Sequence, residues 1–509
     1  MTYKIFSCGL IGLDTFLVEV EAFLSSGLPQ FNIVGLGDAS VQEAKERVRA
    51  SIKNSNLEFP QNRKTINLAP AEKRKQGALY DFPIAVALLI ASGQVSDFHI
   101  KESAFIGELS LGGELKPING TLAITEFLAK KNFKKIFIPN KNFAEASLIK
   151  DIEIIALDSL KAFVDYTKNP ENYQNKTHYE FSSSLNKQNK ILAFQGIAGH
   201  EYAKRALTIS AAGSHSVLLN GPPGCGKTML ARSISQILPP LTSEEKLLST
   251  KIFSIAGKLN PKTPIVLNRP FREVNPTASL PSIIGGGATH PKPGEITLAH
   301  NGVLYLDEIP EFPRRSIESL RQPFEDRFII INRSNFSLCF PSNFILIASK
   351  NPCPCGYRGS KKKTCTCTET QVKTYQKRLS GPILDRFDIF LELEDQQVLN
   401  SLKKDYKEDE NKEDYLKLIK NALDRQKLRF KNEKLIKRNS ELSLEQIKKY
   451  CSISEKALKI LELAVQKLNL SSRAYLKTIR IATTIQDLEL AEEITEKHIS
   501  EAIQFRLRE

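Results

Sequence analysis

Residues 218–228 read Leu-Leu-Asn-Gly-Pro-Pro-Gly-Cys-Gly-Lys-Thr, an apolar strand running straight into a loop of the form GxxxxGKT. The chemistry of a bound polyphosphate calls for these residue types. Gly221, Gly224 and Gly226 let backbone N–H groups turn inward, and the helical stretch MLARSISQIL that follows presents its positive end to the same point. Pro222, Pro223 and Cys225 complete the loop, Lys227 is placed to reach the β and γ phosphates, and Thr228 is placed to bind Mg²⁺. A chance glycine-rich turn needs neither the Lys-Thr pair nor the strand before it and the helix after it.

A second apolar strand, Gly302-Val303-Leu304-Tyr305-Leu306, ends in Asp307-Glu308. An acid that holds Mg²⁺ next to an acid that polarises water is the form nucleotide hydrolysis takes, so Asp307 is assigned to the metal and Glu308 to the attacking water. An exposed helix cap is the alternative for an isolated Asp-Glu pair. Downstream of a phosphate loop, the pair predicts ATP hydrolysis rather than storage.

Outward from these two strands, residues 191–393 alternate apolar strands with helices, as an αβα nucleotide domain on a parallel sheet requires. Residues 1–165 also mix strand-like runs (FNIVGL, KTINLAP, AFIGELSL, KKIFIP) with helical ones (SVQEAKERVRASIKN, FPIAVALLIASG, NGTLAITEFLAKK), which predicts a second α/β domain. The polar stretch 166–190 reads as a linker, and residues 394–509 carry apolar residues at helical spacing, as a helical lid would. Within that lid the run KKDYKEDENKED reads as a solvated face.

The 509 residues include 72 Lys and Arg against 57 Asp and Glu, a net charge of +15 that suits a polyanionic partner such as nucleic acid. No stretch of uncharged apolar residues reaches membrane-spanning length, and the amino terminus lacks a basic segment ahead of an apolar run. The expected compartment is therefore the cytoplasm.

Of the eight cysteines, Cys8, Cys225, Cys339 and Cys451 are scattered singly. Cys353-Pro-Cys355 and Cys365-Thr-Cys367 form two CxC pairs separated by nine residues, enough to fold back and offer four thiolates to a structural Zn²⁺; free reduced thiols are the alternative. Around them, Arg358, Lys361, Lys362, Lys363, Lys373, Lys377 and Arg378 interleave with Tyr357 and Tyr375. Such a patch can contact phosphates and stack on bases, or it can be a solvated loop.

Taken in order, RPFREVNPTAS, GGGATHPKPGEITLAHNGVLYLDEIPEF, LRQPFED, NPCPCG, RLSGPILDRFDI and SSRAYLKTIRIA resemble the magnesium-chelatase-like AAA+ ATPases, and within them the group that includes ComM and is also called the YifB family. The resemblance covers nearly the whole chain. By it, Asn351 is similar to sensor 1, which positions water near the γ-phosphate, and Arg386 to an arginine finger delivered to a neighbouring subunit's ATP. Arg473 is similar to sensor 2, reaching the nucleotide from the lid. The same resemblance implies a homo-hexameric ring acting on branched or single-stranded DNA, ATP-driven branch migration of recombination intermediates in natural transformation, and partners among recombinases or competence proteins.

Ser282–Thr289 between the two nucleotide motifs is glycine-rich and reads as a substrate-moving loop or a plain connection. Asn275-Pro276 stands where the family pattern has a His-His pair, so no histidine role carries over. Residues 1–165 resemble the Lon protease domain (a ribosomal S5 domain 2-like fold) through GALYDFPIAVALLIASG and AFIGELSLGGELKPINGTLA. That chemistry needs a Ser activated by a Lys. No Ser lies between Gly77 and Ala91, and Asn119–Ile124 lacks the Lys, so the expectation is a protease fold without protease activity. A chelatase-type motor subunit and another protein-remodelling ATPase are the alternative functions.

Overall fold

The computed structural model describes residues 2–173, 193–194, 197, 199–260, 263–287, 291–333, 336–360, 363–394, 412–433 and 436–506. Two sheets organise them. The first contains β1 (Thr2–Ile11), β2 (Asp14–Ser25), β3 (Phe31–Val34), β4 (Arg63–Ala69), β5 (Ser103–Phe105), β6 (Lys135–Pro139) and β7 (Glu153–Leu157), in the order β3-β4-β2-β1-β5-β6-β7. Its β1–β2 and β2–β4 pairs are antiparallel and the others parallel. In β2 the residues Phe16, Val18, Val20, Ala22 and Leu24 are buried at every second position, the period that puts one strand face into a core.

The apolar run Phe82 to Ala91 lies within the helix Asp81–Ala91, whose eleven residues are all buried. At about 1.5 Å per residue, such a helix spans roughly half a bilayer. Its hydrophobicity all round is that of a helix packed at the centre of a domain. Among the described residues, no helix is long and apolar enough to cross a membrane.

The second sheet contains β8 (Val217–Asn220), β9 (Phe271–Val274), β10 (Val303–Leu306), β11 (Ile345–Lys350) and β12 (Ile389–Glu392), all parallel, in the order β9-β10-β11-β8-β12. Near-continuous apolar strands such as Val-Leu-Tyr-Leu are what a parallel sheet covered on both faces demands. One face is covered by a core that runs without a break from Leu207, Leu219 and Ile234 through Ile389 to Ile419, Phe430, Leu461, Ile485 and Phe505. The helices Lys412–Arg429, Glu455–Leu468, Ser472–Leu488 and Glu496–Gln504 therefore share their core with the parallel sheet. Gln426 donates to the Ala212 carbonyl across this join, and Arg429 is bonded bidentately to the buried Asp487.

The two sheet units touch through specific contacts. The Gly120 amide and Glu145 both bond Ser254, Lys251 pairs with Glu126 at 3.0 Å, and the tight turn at Gly12 (φ +62°) packs against Leu338 and Phe340 of the hairpin Phe328–Pro341.

Three expectations need correction or limitation. The stretch read as a linker from 166 begins as structure: the helix Leu160–Lys168 and a 3₁₀ turn, Pro170–Tyr173, continue through it, because Tyr166 is buried and its ring packs edge-on against Tyr173. Positions 174–190 lie outside the described residues, as do 403–411 of the charged run. Ser282–Gly286 ends the helix Leu280–Ile284 and forms a short antiparallel pair with Lys292–Pro293, while Ala288 and Thr289 lie outside the described residues.

Candidate nucleotide site

The phosphate loop leaves the carboxyl end of β8, which is flanked by β11 and β12, so three strand ends converge on it. Gly224 (φ +79°) and Gly226 (φ +89°) take left-handed conformations. At Gly221 a Cβ would stand 2.8 Å from the Leu393 carbonyl oxygen and 2.9 Å from Cys225 Sγ, so only glycine fits. Gly226 caps the helix Lys227–Ile237, whose first-turn N–H groups face the loop.

Lys227 is buried, and its Nζ donates to the Gly221 carbonyl at 2.7 Å, the Pro222 carbonyl at 2.9 Å and Asn351 Oδ1 at 3.1 Å. Desolvation lowers its pKa, opposed by Cys225, Asp307 and Glu308. Asn351, one residue beyond β11, also donates through Nδ2 to Glu308 Oε1 at 3.2 Å. The loop lysine and the acid assigned to water are thus joined through a single amide. Glu308 itself sits at φ +50°. Its amide donates to Ser349 Oγ at 2.9 Å, which pins the strained residue to the neighbouring strand.

Asp307 is held by two residues the sequence reading missed. Tyr305 donates to its Oδ1 at 2.8 Å, and Ser349 donates to the same oxygen. With its only proton so committed, Tyr305 accepts from Thr228 Oγ1 at 3.4 Å, linking the two assigned Mg²⁺ ligands. Burial pushes the Tyr305 phenol up, so it remains a donor. Alternation along β10 hides Tyr305 among core residues, and only its hydroxyl's position at the strand end separates it from them. The donor set fits Mg²⁺, since Thr228 and Asp307 are hard oxygen ligands that leave the remaining positions to water and phosphate.

The four paired cysteines meet beside this site. The Cys353, Cys355 and Cys365 sulfurs stand 3.4, 3.7 and 3.6 Å apart pairwise, and all four Sγ atoms lie within 4.8 Å of one another. The Cys355 amide donates to Cys367 Sγ. Backbone N–H groups of Tyr357 and Thr366 hold the Cys355 thiol down to about 5.

Arg386 and Arg473 are brought together, but in a different place. Arg386 bonds Glu325 at 2.5 Å, and Arg473 stands 3.9 Å from the same carboxylate. Both line a cavity of about 550 Å³ with Arg327, Arg480 and Lys477, and no phosphate-loop residue contributes to its wall. Arg473, expected to reach a nucleotide from the lid, thus stands on the Arg386 side and away from the phosphate loop of its own chain. The helix Ser472–Leu488 belongs to the core behind the sheet, which carries Arg473 to the Arg386 side. The Arg386 Nε is buried without a partner, and desolvation, with Arg473 and Arg321 adding like charge, disfavours its ionised form.

In the basic patch, Lys363 lies over the Tyr357 ring and Arg378 over Tyr375, while Arg358 pairs with Glu369. Lys361 and Lys362 lie outside the described residues.

A phosphate loop on a five-stranded parallel sheet, two acids on the next strand but one and a polar residue at the end of the strand between them define a P-loop ATPase of the AAA+ class. Three family models for the magnesium chelatase subunit ChlI match residues 20–142, 193–400 and 409–506. Competence protein ComM of Haemophilus influenzae is 38% identical over 508 residues, covering 99% of this chain and 97% of that relative. YifB of Salmonella typhimurium is 39% identical over 498 residues, covering 97% and 95%. The 67 kDa magnesium-chelatase subunit of Heliobacterium mobile is 29% identical over 195 residues, 33% of this chain and 29% of that subunit. The chain belongs to the ComM/YifB family of magnesium-chelatase-like AAA+ proteins, a membership that implies ATPase activity.

Proposed function

We propose that this protein is an ATP-driven DNA motor, a homo-hexameric ring that promotes branch migration of recombination intermediates during natural transformation. The observation that carries the DNA reading is the near end-to-end similarity to a competence protein, 38% over 99% of the chain. The basic face at Tyr357–Arg378 supports it through its exposed Lys363, Lys373 and Lys377 and the half-buried Tyr357, whereas Tyr375 is buried and cannot stack on a base. The net charge of +15 is of the matching sign.

In this reading Lys227 and the loop amides would hold the β and γ phosphates, Thr228 and Asp307 would hold Mg²⁺, and Glu308, oriented by Asn351, would polarise the attacking water. Mg²⁺ neutralises charge on the phosphates when bound. Arg386 with Arg473 faces a cavity that no phosphate-loop residue lines. A ring would complete each site by presenting that cavity to the next subunit's γ-phosphate. Residues 1–165 serve as a Lon-like binding or assembly module without proteolysis. Asp81 at the start of the buried helix is engaged by Arg47 at 2.6 Å, and positions 82–91 offer no exposed nucleophile.

A chelatase-type motor is the second reading, favoured by the ChlI models, but similarity to the Heliobacterium subunit is confined to a third of the chain. The deciding experiment incubates purified protein with ATP and a synthetic three-stranded or four-way DNA junction, beside Lys227→Ala, and follows strand exchange on gels. ATP-dependent exchange lost in the variant is the expected result. Lys227-dependent ATP turnover with no junction movement and no response to DNA would refute the motor.

A further inference from the structure

The cysteine cluster and the ATP site share a loop. Asn351 stands two residues before Cys353, and the chain between them enters the cluster directly. Cys353 is fully buried, and the turn it opens closes when the Gly356 amide donates to its carbonyl at 2.9 Å. Gly356 lies at φ +83° with its backbone against the phosphate loop: a Cβ there would be 2.6 Å from Pro223 Cδ and 3.8 Å from Asn351 Cγ. On the far side of the cluster, the helix Glu369–Gln376 returns Tyr375 to the Asn351 side, where the two line one cavity. Asn351 is therefore flanked by both ends of the segment that carries the four cysteines.

The sulfur geometry fits one ion. Zinc–sulfur bonds of about 2.3 Å place the sulfurs of a tetrahedral site about 3.8 Å apart. The observed separations of 3.4, 3.7 and 3.6 Å approach that edge and far exceed a disulfide bond. The Cys355 N–H aimed at Cys367 Sγ is the contact a zinc-bound thiolate accepts.

We propose that Cys353, Cys355, Cys365 and Cys367 bind one Zn²⁺ as four thiolates, and that this ion is a positioning element for ATP hydrolysis, fixing Asn351 between Lys227 and Glu308. The inference rests on the ATPase reading and adds to it a dependence on metal. No ligand position is left open at the zinc, so the ion does no chemistry itself. Its loss frees the 351–356 segment from Pro223, and the bridging amide with it. Phosphate binding, which relies on the loop and Lys227, remains.

The test uses the full-length protein purified under reducing conditions. Elemental analysis is expected to give one zinc per chain, and cobalt substitution the intense visible absorption of a tetrahedral thiolate site. Removing zinc is expected to lower kcat about 10- to 100-fold while affinity for a non-hydrolysed ATP analogue changes by less than about threefold, with turnover restored by added zinc. Cys367→Ser should lose zinc and turnover, Cys367→His should keep both, and Cys339→Ser, an exposed cysteine of the hairpin, should change neither. Gly356→Ala guards against a zinc-free protein that fails to fold: it should retain zinc and lose turnover by moving Pro223 or Asn351. Absence of zinc from the reduced protein, unchanged kcat after its removal, or wild-type turnover in Gly356→Ala would each overturn the proposal. A zinc-replete protein with no Lys227-dependent turnover would instead refute the ATPase reading.

Discussion

Asn351→Ala isolates the contact on which the site turns. Its side chain accepts from the Lys227 ammonium at 3.1 Å and donates to the Glu308 carboxylate at 3.2 Å, so the substitution removes two hydrogen bonds, each with a charged partner. Lys227 keeps its bonds to the Gly221 and Pro222 carbonyls, which hold it in the loop, so nucleotide affinity should change little. Glu308 keeps its backbone bond to Ser349 but loses the amide that orients its carboxylate. A hydrogen bond to a charged group is worth about 1.5–3 kcal/mol, and if that orientation is required in the transition state the loss converts to about a 10- to 150-fold fall in kcat. Steady-state ATP turnover together with binding of a fluorescent nucleotide measures both quantities. A kcat within about threefold of wild type, with or without a fall in affinity, would refute the positioning role, because losing uniform binding lowers affinity without touching kcat.

Glu308→Gln should bind ATP and lose about 100-fold or more in turnover, since the amide cannot polarise water as a base; single-turnover quench experiments would show intact ATP on the enzyme. Arg386→Ala should bind nucleotide and fail to hydrolyse it, yet mixing it equally with Lys227→Ala should recover turnover at about a quarter of ring interfaces, whereas a mixture as inactive as its parts would argue against a finger supplied in trans. Asp388→Asn strands the Lys477 ammonium, now paired at 2.7 Å inside the protein, and should cost about 3–5 kcal/mol in urea denaturation at neutral pH. Burial, with the Asn343 amide bonded to Nδ1, lowers His300 from 6.5 to about 4. The unfolded chain therefore takes up a proton that the native protein refuses across this window. Stability is full above pH 6.5 and falls on acidification by about 3 kcal/mol near pH 4, and an equal loss in His300→Gln would refute the assignment.

The sequence by itself determined the chemistry of the phosphate loop. Glycine spacing, the Lys227-Thr228 pair and the apolar strand are local signals, and each records a local constraint: close approach of backbone to phosphate, a helix start, a strand buried on both faces. Asp307 and Glu308 were legible for the same reason, as acids ending such a strand. The order of segments along the chain carried the family. Only the tertiary structure decided which distant residues meet these. Tyr305 and Ser349 look like interior strand residues, and their work on Asp307 depends on two neighbouring strands ending level with each other. Which side of the sheet carries Arg473 was not legible, because spacing along a helix does not state where the helix docks. Its docking follows from a core shared over more than two hundred residues of separation, such as Gln426 with Ala212. The four cysteines were visible as two pairs, but their position against Pro223 comes from strands β8 and β11 lying side by side, which sets Asn351 and the cysteine loop beside the phosphate loop. Contacts between residues far apart in the chain are set by the packing of whole faces, and that information is spread over the core rather than written at any one site.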